Sequence, residues 1–144
     1  MPRSLLLTAM ILFAVLSSGC GGGETANPVG PTSGGSPFTQ TVTGTVSAFG
    51  STRHPLGVTR AGNMTLRLTW TDPTVDLDLY LTSPSCTTNL YPMSACGVLL
   101  ASDASTGTQE TIARTVSNGE QFQIWVDNLH TTRPQTYTLS IVIQ

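Results

Sequence analysis

Apolar residues recur at every second position in four stretches of the chain. In residues 63–71, Met64, Leu66, Leu68 and Trp70 fall on one side, with Thr65, Arg67 and Thr69 on the other. In residues 75–81 the inward set is Val75, Leu77, Leu79 and Leu81, and the outward set is Asp76, Asp78 and Tyr80. In residues 121–127, Phe122, Ile124 and Val126 point in while Gln123 and Trp125 point out. In residues 136–143, Tyr137, Leu139, Ile141 and Ile143 share a face. Successive side chains leave a β-strand on opposite sides, so a period of two with one apolar side is what a half-buried strand requires. Residues 39–48, 55–59, 97–101 and 110–116 are weaker candidates. In the last of these, Arg114 sits on the apolar parity between Ile112 and Val116, and a bulge is expected to re-aim it. Turn chemistry separates the runs: Ala61-Gly62, Asp72-Pro73, Ser117-Asn118-Gly119 and Arg133-Pro134. Asn118-Gly119 between two strands is a hairpin signal. The pattern predicts an all-β, two-layer antiparallel β-sandwich of seven to eight strands over residues 38–144.

The N-terminal apolar run is of a different kind. Arg3, an apolar core over residues 5–16 and the small residues Ser17, Ser18 and Gly19 have the three parts of an export signal. That core is too short to cross roughly 30 Å of hydrocarbon, which takes about 20 residues. The Ser17-Ser18-Gly19-Cys20 junction resembles a bacterial lipobox, which implies cleavage before Cys20 and lipid on its sulfur. It departs from the usual pattern in one place: Ser17 stands where a large aliphatic residue is customary, and Leu16 lies one position earlier. The alternative is an ordinary secretory signal followed by an incidental cysteine. A single acyl chain binds a membrane only marginally, at ~0.8 kcal/mol per buried methylene, whereas two or more hold it stably. The two or three chains of lipoprotein processing would therefore make the membrane a permanent partner. Gly21 after the cysteine, rather than Asp, resembles lipoproteins sent to the outer membrane of a two-membrane envelope.

Residues 21–37 read GGGETANPVGPTSGGSP, with Val29 the only large aliphatic. Such a stretch cannot bury enough apolar surface to offset its ordering entropy, and it reads as a flexible linker with a reach of roughly 20–25 Å. Beyond the leader the chain carries five arginines against eight acids, a side-chain net charge of −3, and it has no lysine. Nothing forms a basic stripe, which argues against a nucleic-acid partner.

One order of segments has a family likeness. It runs Thr43-Gly44-Thr45-Val46, His54 and Val58, Leu66-Arg67-Leu68-Thr69-Trp70, Asp76-Leu77-Asp78-Leu79-Tyr80-Leu81, Glu110-Thr111-Ile112 and Tyr137-Thr138-Leu139-Ser140-Ile141. This resembles the bacterial pre-peptidase C-terminal domain family, which includes collagen-binding domains of secreted collagenases. The resemblance spans nearly all of residues 40–143, and the Trp followed by DLDLYL is its most specific part. It implies a jelly-roll-like β-sandwich that is not itself an enzyme and that serves as an accessory module. The chain departs from the family's usual context in having no catalytic domain before this one, and residues 85–97 look like a local insertion.

Four sets of side chains are candidates for chemistry. Cys86 and Cys96 flank a loop holding Asn89, Tyr91 and Pro92; with Cys20 lipidated they are an even pair in an oxidising compartment, which favours a disulfide. A zinc site joined by His54 or His130 would prefer tighter cysteine spacing. Asp76 and Asp78 project from the same predicted strand face, where like charges favour a cation between them. Calcium would need further oxygens, from Asp103 above all, with Asp72 or Glu110; the alternative is that the two acids only keep the strand face soluble. Tyr80 and Trp125 are expected to be outward aromatics that could mark a protein- or polysaccharide-binding patch. No nucleophile motif is visible, and His54 and His130 lack partner motifs. The expectation is an exported, lipid-anchored, non-catalytic module of the cell envelope with no cofactor unless calcium binds. It would bind or scaffold a protein or polysaccharide. The alternative is an accessory or chaperone-like domain assisting an exported peptidase.

Overall fold

Eight strands make up the domain: β1 (Phe38–Val46), β2 (Gly50–Gly57), β3 (Gly62–Trp70), β4 (Leu77–Thr82), β5 (Val98–Ser102), β6 (Gln109–Val116), β7 (Gln121–Asn128) and β8 (Gln135–Ile143). The computed structural model describes residues 35–88, 96–103 and 107–144. The leader, Cys20, the linker up to residue 34, and Asn89, Tyr91 and Pro92 lie outside the described residues. The strands form two four-stranded sheets, ordered β1-β8-β3-β6 and β2-β7-β4-β5, and every pairing is antiparallel. β1 pairs with β8, β2 with β7, β3 with β6 and β4 with β5, as if one long hairpin had been rolled up. This nesting is the jelly roll.

The alternating runs explain the layers. Leu66, Leu68, Leu77, Leu79, Leu81, Ile124, Val126 and Leu139 have no solvent exposure and interdigitate between the sheets. Each contributes about 1.5–3 kcal/mol by leaving water. Gly44 belongs to this interior: a Cβ there would lie 2.7 Å from Tyr137 Oη. Tyr137 cannot swing away, being 1% exposed and hydrogen-bonded at its hydroxyl to His54 Nε2 at 2.6 Å. Burial raises the Tyr137 pKa, a Thr52 hydrogen bond opposing it, and burial lowers that of His54.

Two expectations are corrected. The Asn118-Gly119 turn is not a hairpin, because β6 and β7 belong to different sheets. Gly119 takes the left-handed φ of +87° that reverses the chain, and bonds from Gly119 N to Val58 O and from Val58 N to Glu120 O hold the turn. Turn residues encode a reversal; which sheet the next strand joins is decided by where its apolar face can be buried. Nor does a bulge re-aim Arg114. The β3–β6 register runs unbroken from Gly62↔Val116 to Thr69↔Gln109. β6 is an edge strand, so Arg114 lays its guanidinium over the Phe122 ring, 5.1 Å from the centroid, and reaches Glu120 at 3.8 Å. The register shift lies instead between Leu81 and Thr82, where β4 meets β5.

Strand direction sorts the connections. The β1–β2, β3–β4, β5–β6 and β7–β8 links gather at one pole, tied by Phe49 N to His130 O and Trp70 N to Thr108 O. The start of β1, the end of β8 and the other links lie at the opposite pole, where Phe38 faces Ile143.

Candidate functional site

The pole carrying the β1–β2 and β3–β4 links collects Asp72, Asp76, Asp78, Asp103, Glu110 and Asp127, every acid among the described residues except Glu120. Trp70, at the end of β3, donates from Nε1 to Val75 O at 2.7 Å. Asp72 Oδ1 accepts from the backbone N and hydroxyl of Thr74 at 3.0 and 2.7 Å, which hold its pKa low. Arg133, from the β7–β8 link, pairs with Asp72 and donates to the Thr74 hydroxyl. The turn is thereby closed from both ends, and it delivers Asp76 and Asp78 to the start of β4.

Asp76 stands immediately before the strand, which begins at Leu77, so of the two acids expected on one strand only Asp78 lies within β4. Asp78 is on the outward side of β4 yet only 3% exposed. Its cross-strand partner on β7 is Asp127, 2% exposed. Tyr80 donates its hydroxyl to Asp78 Oδ2 at 3.0 Å. Burial, and after it the charges of Asp76, Asp103 and Asp127, raise the Asp78 pKa to about 6 against the pull of the Tyr80 hydrogen bond. Burial raises Asp127 too; Ser51 on β2 biases it the other way, but neither Asp127 oxygen has a hydrogen bond of good geometry among the described residues. Burial and Asp103 raise Asp76. Among the described residues no three His, Cys, Asp or Glu side chains converge closely enough to hold a metal ion. The calcium set of Asp76, Asp78 and Asp103, with or without Asp72 or Glu110, is therefore not assembled. Asp76 and Asp103 stand on loops outside the sheet, Asp72 turns to Arg133, and Glu110 takes the Ser102 hydroxyl at the sandwich edge.

The aromatic pair is brought together but not laid open. Tyr80 and Trp125 are direct cross-strand neighbours on the outward face. Trp125 is 4% exposed and Tyr80 half-buried, so the expectation of two solvent-facing aromatics is wrong for Trp125. The cover is the chain after β4, pinned by a Cys86–Cys96 disulfide with Cα atoms 5.3 Å apart. Cys86, Cys96, Val98, Tyr80 and Trp125 form a small second core outside the sandwich. Arg53 Nη1 to Thr87 O (2.9 Å) and Gln123 Nε2 to Pro84 O (3.3 Å) fasten the cover.

Two residues escaped sequence reasoning. Asp127 ends an apolar run and gave no motif, although its outward parity with Trp125 was readable. Phe49 has φ of +48°, the only positive value at a non-glycine among the described residues, and its side chain is 65% exposed. It stands beside Leu129, 36% exposed, at the acidic pole. On the other sheet at this pole, Thr69, Trp70, Thr71, Thr136, Tyr137 and Thr138 line a cleft of about 190 Å³.

The acidic pair has a pH signature. A folded-state pKa raised from 3.8 to about 6 means that Asp78 contributes stability fully below pH 3.8, and that this is lost as pH rises through 6. Asp78→Asn in metal-free buffer is therefore expected to be more stable than the parent at pH 7, by on the order of 1–3 kcal/mol. The difference should shrink toward pH 4. Urea melts of both chains across that range check it, and because His54 titrates in both it cancels.

No protein-family model matches the sequence, and no curated protein matches it. Solved structures do share its fold. The Aeromonas hydrophila PliG, a periplasmic inhibitor of g-type lysozyme, superposes with a TM-score of 0.54 at 10% identity, covering 74% of this chain and 86% of the inhibitor. The pre-peptidase C-terminal domain of Bacillus anthracis collagenase gives 0.53 at 15% identity over 72% of this chain and 89% of that domain. The Yersinia pseudotuberculosis-derived mitogen gives 0.54 at 19% identity over 75% of this chain and 87% of that one. At these identities the likeness concerns the fold: a small β-sandwich that an inhibitor, a collagenase's C-terminal domain and a mitogen also use.

Proposed function

We propose that the protein is an exported, lipid-anchored, non-catalytic module that binds a protein or polysaccharide of the bacterial envelope through its acidic pole. We place it as a divergent relative of the pre-peptidase C-terminal domains. The observation that carries the binding reading is Phe49. A large aromatic side chain held in the left-handed region costs on the order of 1–3 kcal/mol, and this one is 65% exposed. Strained backbone of this kind clusters at functional sites, and exposed aromatic side chains are common anchors of binding surfaces. The disulfide fits an oxidising compartment, and the leader supplies the export signal, with Cys20 as the lipid attachment and the outer membrane as the favoured destination. The fold neighbours support a non-catalytic role.

The test uses the full chain. Cys20→Ala should move it from the membrane fraction to the soluble fraction; retention on membranes would overturn the anchor. Phe49→Gly relieves the backbone and should raise stability by about 1 kcal/mol. The same variant should weaken cosedimentation with purified cell-wall polysaccharide, or crosslinking to an envelope protein in intact cells, by tenfold or more. Unchanged binding in both assays would sink the reading.

A second reading, service to an exported peptidase, is favoured by the Trp70 to Leu81 resemblance. It predicts that coexpression raises the yield of that enzyme in active form, whatever occupies position 49.

A further inference from the structure

We propose that the cleft lined by Thr69, Trp70, Thr71, Thr136, Tyr137 and Thr138 seats one ring of a neutral polysaccharide, whose neighbouring rings lie over threonine ranks on the outer face of the β1-β8-β3-β6 sheet. At about 190 Å³ the cleft is smaller than the roughly 300–1,000 Å³ that encloses a drug-sized molecule. It suits one ring of a chain rather than a whole ligand. Trp70 gives its indole N–H to Val75 O, and the Tyr137 hydroxyl is bonded to His54. The hydroxyls left for the cleft are therefore those of the threonines.

The ranks continue from the cleft over the sheet. β1 places a threonine at every outward position: Thr39, Thr41, Thr43 and Thr45, all exposed. The register carries Thr43 across to Thr138, Thr69 and Gln109, and Thr41 across to Ser140, Arg67 and Thr111. Thr45 and Thr136 bond each other through their hydroxyls at 3.1 Å, which leaves one of the two protons for a ligand. Neighbouring strands stand about 4.7–4.9 Å apart. That step is close to the rise of one ring in an extended sugar chain, so side-chain hydroxyls recur at the interval at which sugar hydroxyls do.

The charges select the class of ligand. A soluble surface is commonly about 25–35% charged. Among the described residues Arg67 is the sole charge at the outward positions of these four strands, and its guanidinium donates to Gln109. A phosphate backbone or an acidic glycan would find no uncommitted cation on this face. A protein partner is held chiefly by large aromatic or apolar anchors. Among the described residues the exposed ones, Phe49, Leu99, Leu100 and Leu129, stand on β5 or in the links beside β2 and β7, off this face. A neutral polyol needs neither feature: threonine and sugar hydroxyls both donate and accept, so each can meet the other in either sense. The opposite sheet offers no equivalent, since the chain pinned by Cys86–Cys96 covers Trp125 on its outer side. These ranks use none of the Phe49 side chain, so the inference stands or falls apart from that reading.

Affinity electrophoresis of the full chain, in a detergent without a sugar headgroup, tests it. Native gels carry a neutral glycan (dextran, laminarin, mannan or hydroxyethyl cellulose) or acidic polygalacturonate. The parent should be retarded by at least one neutral glycan and not by polygalacturonate. Thr69→Val/Thr138→Val keeps the shape of both side chains and removes two hydroxyls, so Tm should hold. Each lost hydrogen bond is expected to weaken binding about two- to tenfold, and the pair about fivefold or more. Thr43→Val/Thr136→Val should act the same way if the first variant folds poorly. Phe49→Gly should keep the parent's retardation, since that side chain then serves a protein partner. No retardation by any neutral glycan, or retardation by polygalacturonate alone, would overturn the site. So would retardation unchanged in both valine variants, or lost only in Phe49→Gly.

Discussion

Trp70→Ala is expected to lower stability by about 3–5 kcal/mol, close to the whole margin of a domain this size. Trp70 is 6% exposed, packs in the main core and donates its indole N–H to Val75 O, so the truncation empties a cavity and orphans a carbonyl at once. Trp70→Phe separates the two. It keeps most of the packing and loses the hydrogen bond, for which about 1–3 kcal/mol is expected. Chemical denaturation of the three chains measures both steps. A Trp70→Phe change as severe as Trp70→Ala would mean that the hydrogen bond, not the packing, fixes the turn. Equal stability of Trp70→Phe and the parent would mean that the Val75 carbonyl finds another donor. Either result bears on Asp76 and Asp78, since this turn sets where β4 begins.

Opening the Cys86–Cys96 bond is expected to cost about 2–3 kcal/mol, the loop-closure entropy of so short a ring in the chain-entropy model. A second consequence is optical. Trp125 is 4% exposed under the cover that the bond pins, so reduction, or a Cys86→Ser/Cys96→Ser double change, should shift its emission to longer wavelength. The sandwich should stay folded, because Leu79, Leu81, Ile124 and Val126 lie on the other face of the same strands. Emission that does not move on reduction would show that Arg53 to Thr87 and Gln123 to Pro84 hold the cover unaided.

The layers were legible because they rest on local parity. Met64 to Trp70, Leu77 to Leu81, Phe122 to Val126 and Tyr137 to Ile143 face the core as the alternation requires, and the disulfide followed from counting cysteines. What alternation cannot carry is the fate of the outward face. Asp78 and Trp125 have the parity of solvent-facing residues, yet a loop from elsewhere in the chain and a neighbouring strand bury them. The same limit applies to Asn118-Gly119, whose turn was readable while the sheet change was not. Asp127 became visible as a site residue only through β4–β7 pairing, a contact between strands more than forty residues apart. Phe49 announced itself through a backbone angle, which no residue pattern encodes.

The nested pairing has a mechanical consequence. β1 enters the sandwich at Phe38, opposite Ile143, and runs its full length to the pole that bears Phe49 and the acids. In the proposed anchored form, a pull between a ligand on that pole and the chain entering β1 at Phe38 is directed along the strand axes. The β1–β8 hydrogen bonds lie across that line, so the load shears all nine register pairs together instead of peeling them one by one. A tethered module built this way resists being stripped from its foot by whatever it holds.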